Sequence, residues 1–234
     1  TGVQTCALPI FAGDGARSIV GILRERGVRP GLVLDEGGAV VENVIPGLVA
    51  PAAVVGVAER GIATFVLETT EAGGHASTPP RMPATARLAR AIDRVRRRPF
   101  PVRLAPPVRA MLASAAPHVP EPLRTLFARP SLSAPVIARV FARMGPETTA
   151  LVRTTAVVTE LSAGTGRNVL ATTARAWVNV RLLTGDSIAD VAAHLRRAIA
   201  DPEVSIELES GSEPSPVSPW TGDAWRMLSR IVRE

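Results

Sequence analysis

Two segments of this chain place apolar residues at every second position, and this period of two constrains the fold more than any other feature. From 174 to 182 the apolar residues share one face and the residues between them share the other. The first set is Ala174, Ala176, Val178, Val180 and Leu182, and the second is Arg175, Trp177, Asn179 and Arg181. Ile62 to Thr69 alternates in the same way. A period of two is typical of a strand with one buried face, so both segments are predicted as half-buried strands.

Two helical patterns accompany these strands. The first begins at Pro83 and has an apolar stripe opposite arginines that are predicted to be solvated: Leu88, Ile92 and Val95, against Arg87, Arg90 and Arg94. The second begins at a capping-box sequence, Ser187–Asp190, and carries His194 on its polar side. Further strands are predicted at 155–161 and 204–208. Residues 60–210 therefore read as strand, helix, strand, strand, helix, strand, which is the ferredoxin-like order of an antiparallel sheet with two helices on one side.

The flanking segments have a different character. A helical pattern ends at Gly27, and the short apolar run Leu32–Leu34 is typical of a strand buried on both faces of a parallel sheet. After a proline-rich connection at 214–219, a final helix follows. We predict an α/β domain at 12–59 that resumes at 212–234, with an α+β ferredoxin-like domain inserted at 60–211. The proline-rich stretch at about 99–150 is predicted to be an insertion of short helices, and its His118 a loop residue.

Composition excludes several classes of protein. No apolar run approaches the roughly 20 residues that a membrane-spanning helix needs. Residues 1–11 resemble a translated sequencing adapter rather than a signal peptide, and they contain the only cysteine, Cys6. The net charge of +6 comes from arginine alone, which indicates a GC-rich genome more than a nucleic-acid surface. With five Phe, three Trp and no Tyr there is little to stack on bases, so no nucleic acid is expected as a partner. No membrane partner is expected either, because no apolar run is long enough to cross a bilayer, and a cytoplasmic location is expected.

Two residues stand where chemistry could occur. Asp35 follows the apolar run Leu32–Leu34, and ligands of open α/β sheets gather at the carboxyl ends of strands. His75 stands between a glycine pair and a proline pair in the segment EAGGHASTPP. Taken alone, Asp35 is as compatible with a turn or helix cap, and His75 with a turn histidine that has no partner.

Four motifs, in this order along the chain, favour a chemical role for Asp35 and His75 over a structural one. They are VLDEGG at 33–38, GGHAS at 73–77 with the proline pair at 79–80, Asn168–Val169, and NVRLL at 179–183. Together they resemble the di-zinc aminoacylase and carboxypeptidase metallopeptidase family, and within it carboxypeptidase S and the Gly-Xaa carboxypeptidases. The resemblance implies a catalytic domain that binds two zinc ions and an inserted lid domain that forms a homodimer and closes over the substrate. It also implies that the substrate is a small peptide or an N-acyl amino acid.

The resemblance assigns a role to each candidate residue. It implies that Asp35 is a carboxylate ligand of one zinc ion. His75 is implied to donate to the oxyanion of the tetrahedral intermediate, often in the active site of the partner subunit. Asn168 and Arg181 are implied to hold the carbonyl and the carboxylate of the substrate, a task that suits the planar arginine fork.

Other parts of the family's site are not found in this sequence: an upstream His-x-Asp pair, a Glu-Glu pair and a late histidine. The chain as given is therefore expected to be a fragment of such a hydrolase that binds no zinc and has no activity of its own. A second hypothesis stays open, in which the chain is a noncatalytic dimerisation or ligand-binding module. The third class weighed, a basic nucleic-acid binder, predicts salt-dependent retention on DNA, which we do not expect.

Overall fold

The computed structural model describes residues 14–34, 38–42 and 45–232. The chain divides into two compact units, one formed by Thr1–Gly37 with Asp223–Glu234 and the other by Gly38–Gly222. This division places residues 38–59 with the second unit, whereas the sequence pattern assigned them to the flanking domain. The domain boundaries of the intact protein stay a prediction.

The first unit contains two helices, α1 (Asp14–Glu25) and α8 (Asp223–Ile231). As predicted, Gly27 follows α1 with a positive φ of 66°, and the Val28 amide returns to the carbonyl of Leu23 at 2.9 Å. The predicted buried strand Leu32–Leu34 is wrong for this structure, because these residues form no strand and the side chain of Val33 is 76% exposed. A strand buried on both faces needs neighbouring strands, and the described part of this unit contains none.

The second unit holds the remaining labelled elements. Its strands are β1 (Ala39–Val41), β2 (Ala52–Val54), β3 (Gly61–Thr70), β4 (Gly74–His75), β5 (Thr155–Ala163), β6 (Val169–Leu170), β7 (Thr173–Leu182) and β8 (Ser205–Ser212). Its helices are α2 (Ala84–Arg97), α3 (Pro106–Ala115), α4 (Leu123–Ala128), α5 (Pro130–Met144), α6 (Pro146–Val152) and α7 (Ile188–Ile199).

Four of these strands form one antiparallel sheet in the order β5-β7-β3-β8. The central pair runs from Gly61 opposite Leu182 to Thr70 opposite Thr173. The apolar residues of β3 and β7 are buried against α2 and α7, which cover one face of the sheet. The predicted ferredoxin-like order and the inward face of each central strand are thus confirmed. Each large side chain of this core, such as Phe65 or Leu195, contributes about 1.5–3 kcal/mol through burial.

The stretch between α2 and β5 forms a second, smaller core, as the prediction of inserted short helices requires. Helices α3 to α6 pack around Phe127, Phe141 and Leu112. Ile45 and Leu48, from the connection between β1 and β2, complete this core. Their participation was not predicted, because two isolated apolar residues in a glycine- and proline-rich connection carry no periodicity.

Several polar residues of the two covering helices are more buried than predicted. Arg87 forms an ion pair with Asp201 at 3.0 Å and is not solvated. Arg94 and Arg98 donate to carbonyls at the C-terminal end of α7. The last carbonyls of a helix have no hydrogen-bond donor within the helix, so these arginines satisfy them. His194 lies on the polar side of its helix, as predicted, but it is half-buried: its ring stacks on Phe100 with a centroid separation of 4.0 Å, and Nε2 lies 2.8 Å from the carbonyl of Arg98.

The start of α7 confirms the predicted capping box. The Asp190 amide donates to the hydroxyl of Ser187 at 3.1 Å, and the Ser187 amide donates to the carboxylate of Asp190 at 3.0 Å. The hydroxyl and the amide of Ser187 both stabilise the charged carboxylate, which lowers the pKa of Asp190 below its ordinary value. Among the described residues, no helix combines the length and the apolar character that a membrane span requires.

Candidate functional site

A narrow two-stranded ribbon extends the central strands of the sheet beyond its end. The last pair of the central ladder is Thr70 opposite Thr173, and the Glu71 amide then donates to the carbonyl of Thr172 at 2.8 Å. The ribbon itself consists of β4 and β6, with Gly74 opposite Leu170 and His75 opposite Val169. His75 is therefore carried on a ribbon that continues from the central pair of strands.

Two glycines make the turn from β3 into this ribbon. Gly73 has φ of +75° and Gly74 has φ of +141°, both in the region that side-chain-bearing residues rarely adopt. A Cβ on Gly73 would also lie 2.8 Å from Cγ2 of Thr172 on the facing strand. The glycine pair in the sequence is thus required by the path of the chain and by the close approach of the two strands.

The imidazole of His75 is exposed, and one of its nitrogens is held by the next turn. The Ser77 amide donates to Nδ1 at 3.2 Å, and the hydroxyl of Ser77 lies 2.7 Å from the same nitrogen. A nitrogen that accepts an N–H bond carries no proton in the neutral ring, which places the proton on Nε2. The ring therefore presents Nε2–H as a donor that points away from its own turn. Ser77 belongs to the GGHAS motif at 73–77, but no local pattern of residues indicates that it holds the imidazole.

Asn168 immediately precedes β6 and bonds to Ala76, the residue after His75. Its carbonyl accepts the amide of Ala76 at 3.0 Å, and its side chain is exposed. The ribbon thereby brings together two of the residues selected from the sequence, although 92 positions separate them along the chain. The imidazole of His75 can donate a hydrogen bond and the carboxamide of Asn168 can both donate and accept, so each can bind a polar group of a ligand.

Arg181 lies at the opposite end of the central strand. It pairs with Ile62 of β3 and with Thr155 of β5, and its side chain is on the exposed face of the sheet, as the alternation predicts. Thr173, where the ribbon begins, is eight residues away along β7. At about 3.3 Å per residue the strand separates Arg181 from the start of the ribbon by about 26 Å, and His75 lies farther still.

A second arginine fixes the backbone around Arg181. The guanidinium of Arg60 donates to the carbonyl of Arg181 at 2.6 Å, of Arg153 at 3.0 Å and of Leu182 at 3.4 Å. Partial burial and the positive charge of Arg181 lower the pKa of Arg60, while the carboxylate of Asp186 opposes that shift. Arg60 was not selected from the sequence. It precedes a predicted strand, and no local pattern shows which carbonyls it can reach.

The exposed face between these two ends carries charged and aromatic side chains. Arg175 forms an ion pair with Glu68, and this pairing raises the pKa of the guanidinium above its ordinary value. The indole of Trp177 donates to the carboxylate of Glu209 at 3.0 Å. The alternating pattern predicted that Arg175 and Trp177 face outward, but it did not identify their partners on β3 and β8.

The predicted zinc ligand Asp35 lies outside the described residues. Within the described ranges, no group of three or more His, Cys, Asp or Glu side chains is arranged to hold a metal ion. The residues that can be described do not fit a zinc site, so no chemical step through zinc is derived from them.

These observations define a class of protein domain. It is a ferredoxin-like α+β domain with a helical insertion and an exposed histidine on a ribbon that projects from its sheet. Residues 57–207 match the model of the peptidase dimerisation domain of the M20 family, and the chain belongs to this family.

Relatives with curated descriptions extend the likeness over most of the chain. The N-fatty-acyl-amino acid synthase/hydrolase PM20D1 of Homo sapiens is 33% identical over 225 residues, which cover 95% of this chain and 45% of the human protein. The probable carboxypeptidase S-like 2 of Dictyostelium discoideum is 36% identical over 205 residues, covering 86% of this chain and 39% of that protein. The chain thus spans less than half the length of these relatives.

Solved structures of similar proteins include human carnosine dipeptidase 1. It aligns with a TM-score of 0.46 and 11% identity, over 76% of this chain and 42% of that one.

Proposed function

We propose that this chain is the dimerisation and lid portion of a zinc-dependent hydrolase that cleaves the amide bond of N-acyl amino acids or small peptides. Two observations support the proposal: the chain belongs to the M20 peptidase dimerisation family, and its ribbon presents His75 as an Nε2–H donor. The curated relatives are described as an N-fatty-acyl-amino acid synthase/hydrolase and as carboxypeptidase S-like. Their full lengths exceed this chain, so the catalytic activity belongs to the complete protein.

The separation of the candidate residues carries the mechanistic part of the proposal. In an N-acyl amino acid, a single α-carbon joins the carboxylate to the nitrogen of the scissile amide. One substrate cannot contact His75 and Arg181 of the same chain, because β7 holds them about 26 Å or more apart. We therefore assign His75 and Asn168 to one copy of the chain and Arg181 to the other, so that each active site is built from two subunits.

In this arrangement each residue has one task. Nε2–H of His75 donates to the oxygen of the scissile carbonyl, and the bond strengthens as that oxygen gains negative charge. The carboxamide of Asn168 orients the same group from the neighbouring strand. Arg181 of the second copy holds the substrate carboxylate through two parallel hydrogen bonds, supported by the contacts that Arg60 makes with its backbone. Zinc, when bound by the complete enzyme, would polarise the carbonyl and activate water.

The edge strand β5 offers a surface for the second copy. Its outer backbone groups have no neighbouring strand in the four-stranded sheet, and the side chains of Val157 and Leu161 are exposed along it. Such an edge pairs readily with another edge. We propose that two copies join at this strand, and sedimentation velocity of the chain with and without a Leu161→Glu substitution tests it.

Subunit complementation tests the two-chain site. The reading frame is extended to the length of the relatives, and His75→Ala and Arg181→Ala variants are each expressed alone and then together. Each variant alone should be inactive towards an N-acyl amino acid. Random pairing makes about half of the dimers mixed, and one of the two sites in each mixed dimer is intact. Coexpression should therefore restore about a quarter of the wild-type activity.

Two outcomes would contradict different parts of this proposal. If coexpression restores no activity although mixed dimers form, His75 and Arg181 do not serve one site across the dimer. If the extended wild-type protein forms dimers but hydrolyses no acyl amino acid or small peptide with zinc present, the noncatalytic module is the better account.

A further inference from the structure

Helix α5 has an apolar stripe on the side that faces away from the second core. The stripe consists of four residues at intervals of four: Leu132, Val136, Val140 and Met144, which are 78%, 53%, 47% and 53% exposed. The opposite side of the helix is buried through Ile137, Ala138 and Phe141. The exposed stripe is therefore additional to the residues that fold the insertion, and at 1.5 Å per residue it runs for about 18 Å.

Positive charge accompanies this stripe without any negative charge. Arg139 and Arg143, one turn apart, lie on the same side of α5 as Leu132 and Val136 and are exposed. No acidic residue occurs between Pro130 and Met144. Arg129 immediately precedes the helix. A partner must therefore combine an apolar surface with negative charge.

We propose that this face of α5 binds an anionic lipid surface, with the helix lying in the plane of the interface. An exposed helix face is convex, and a bilayer interface accepts such a shape along its whole length. The apolar side chains would enter the boundary between headgroups and acyl chains, while the long arginine side chains reach back to the phosphates. An exposed apolar stripe with basic residues beside it on one helix favours an orientation in the plane of the interface.

This inference departs from the sequence-based expectation that no membrane is a partner. That expectation rested on the lack of an apolar run long enough to cross a bilayer. The sequence alone did not show which apolar residues of α5 stay outside the second core. The inference is independent of the proposed hydrolase, because it concerns a helix of the insertion and not the ribbon or Arg181.

Vesicle flotation with the full 234-residue chain tests the proposal. Vesicles of phosphatidylcholine alone are compared with vesicles that contain phosphatidylglycerol as about a third of the lipid. We expect binding to the anionic vesicles, weakened by salt, and at least tenfold weaker binding for Arg139→Glu/Arg143→Glu. Leu132→Ser/Val140→Ser should lose binding to a similar extent, since it removes the apolar contribution. Circular dichroism checks that each variant keeps its helices.

A matched control separates this face from the general positive charge of the chain. Arg81→Glu/Arg90→Glu makes the same change in net charge at exposed positions outside α5 and should bind as wild type does. The proposal is overturned if anionic vesicles do not bind the chain, or if the control variant weakens binding as much as the α5 variant. A third outcome also overturns it: soluble poly-glutamate binds the chain as tightly as the vesicles do, and Leu132→Ser/Val140→Ser weakens neither interaction. That outcome would identify an acidic protein as the partner. Self-association that depends on Leu132 and Val140, without vesicle binding, would identify a second copy as the occupant.

Discussion

Replacing Gly73 with alanine should loosen the ribbon that carries His75. The backbone at Gly73 has φ of +75°, which costs a residue with a Cβ about 1–2 kcal/mol. The new methyl group would also lie 2.8 Å from Cγ2 of Thr172, and overpacking of this kind adds about 1 kcal/mol or more. Together these effects should destabilise the closed ribbon by about 2–3 kcal/mol, which corresponds to roughly a 30- to 150-fold increase in its opening.

Amide hydrogen exchange reports this opening at a single position. The amide of Ala76 donates across the ribbon to the carbonyl of Asn168, so its protection measures the closed state directly. The two contributions are separated by the Gly73→Ala/Thr172→Ser double variant, because serine lacks the methyl group that the new Cβ meets. About 1 kcal/mol of protection should return in the double variant.

Gly166→Ala serves as the control for this experiment. Gly166 lies in the neighbouring turn without a positive φ, and its Cβ would meet Val169 at 3.6 Å, an ordinary contact. Exchange of the Ala76 amide should therefore be nearly unchanged in this variant. Wild-type protection in Gly73→Ala, or no recovery in the double variant, would refute the argument that backbone geometry and the Thr172 contact fix this glycine.

Three further substitutions test other parts of the structure by chemical denaturation. Thr154→Val should lower the free energy of unfolding by about 1–3 kcal/mol, because the buried hydroxyl accepts the Leu183 amide and donates to a carboxylate, whereas Thr154→Ser should lose much less. Ser187→Ala should cost about 0.5–2 kcal/mol through the lost helix cap. Because Ser187 lowers the pKa of Asp190, that carboxylate stabilises the fold above its ordinary pKa and ceases to do so as the pH falls through the lowered value. The difference between the two proteins should therefore shrink in acid without vanishing, because the Asp190 amide still donates to the Ser187 hydroxyl. Arg60→Met should cost about 1–3 kcal/mol by leaving carbonyls at the end of β7 without their donor; a variant as stable as wild type would show that water replaces the guanidinium.

The ferredoxin-like sheet could be predicted because its signal is local and repeated. In β7, alternate residues from Ala174 to Leu182 are buried, and a shift of one residue in register would place arginine in the core. The same holds for Phe65 and its neighbours in β3. Strand order followed from the sequence of elements, because few topologies connect strand, helix, strand, strand, helix and strand without crossing connections.

The incorrect predictions concern residues whose environment depends on distant parts of the chain. Leu32–Leu34 has the composition of a buried strand, yet composition does not supply the neighbours that bury it. Arg87 and His194 occupy polar positions on their own helices, but Asp201 and Phe100 approach them from other segments. A helical wheel shows which side of one helix is polar, and it does not show what packs against that side.

The candidate site likewise has features that the sequence predicts and features that only the structure shows. The proximity of His75 and Asn168 could not be read from sequence order, because it depends on the pairing of two short strands from distant parts of the chain. Their distance from Arg181 follows from the length of a single strand. Asn168 and Arg181 are 13 residues apart, and most of that interval is the extended strand β7. The outward position of Arg181 was predictable from alternation, but its distance from His75 required the register of the sheet.

The length of β7 makes the proposed dimer a requirement of the chemistry and not an accessory to it. A strand of ten residues in the middle of a four-stranded sheet cannot shorten without breaking its ladders on both sides. The ribbon follows directly on this strand, with Glu71 bonded to Thr172 and His75 paired with Val169. If His75 and Arg181 serve one substrate, the remaining way to bring them together is to take one from each of two chains. The complementation experiment therefore tests the register of the sheet and the assignment of both residues at once, since recovery of activity requires both to be right.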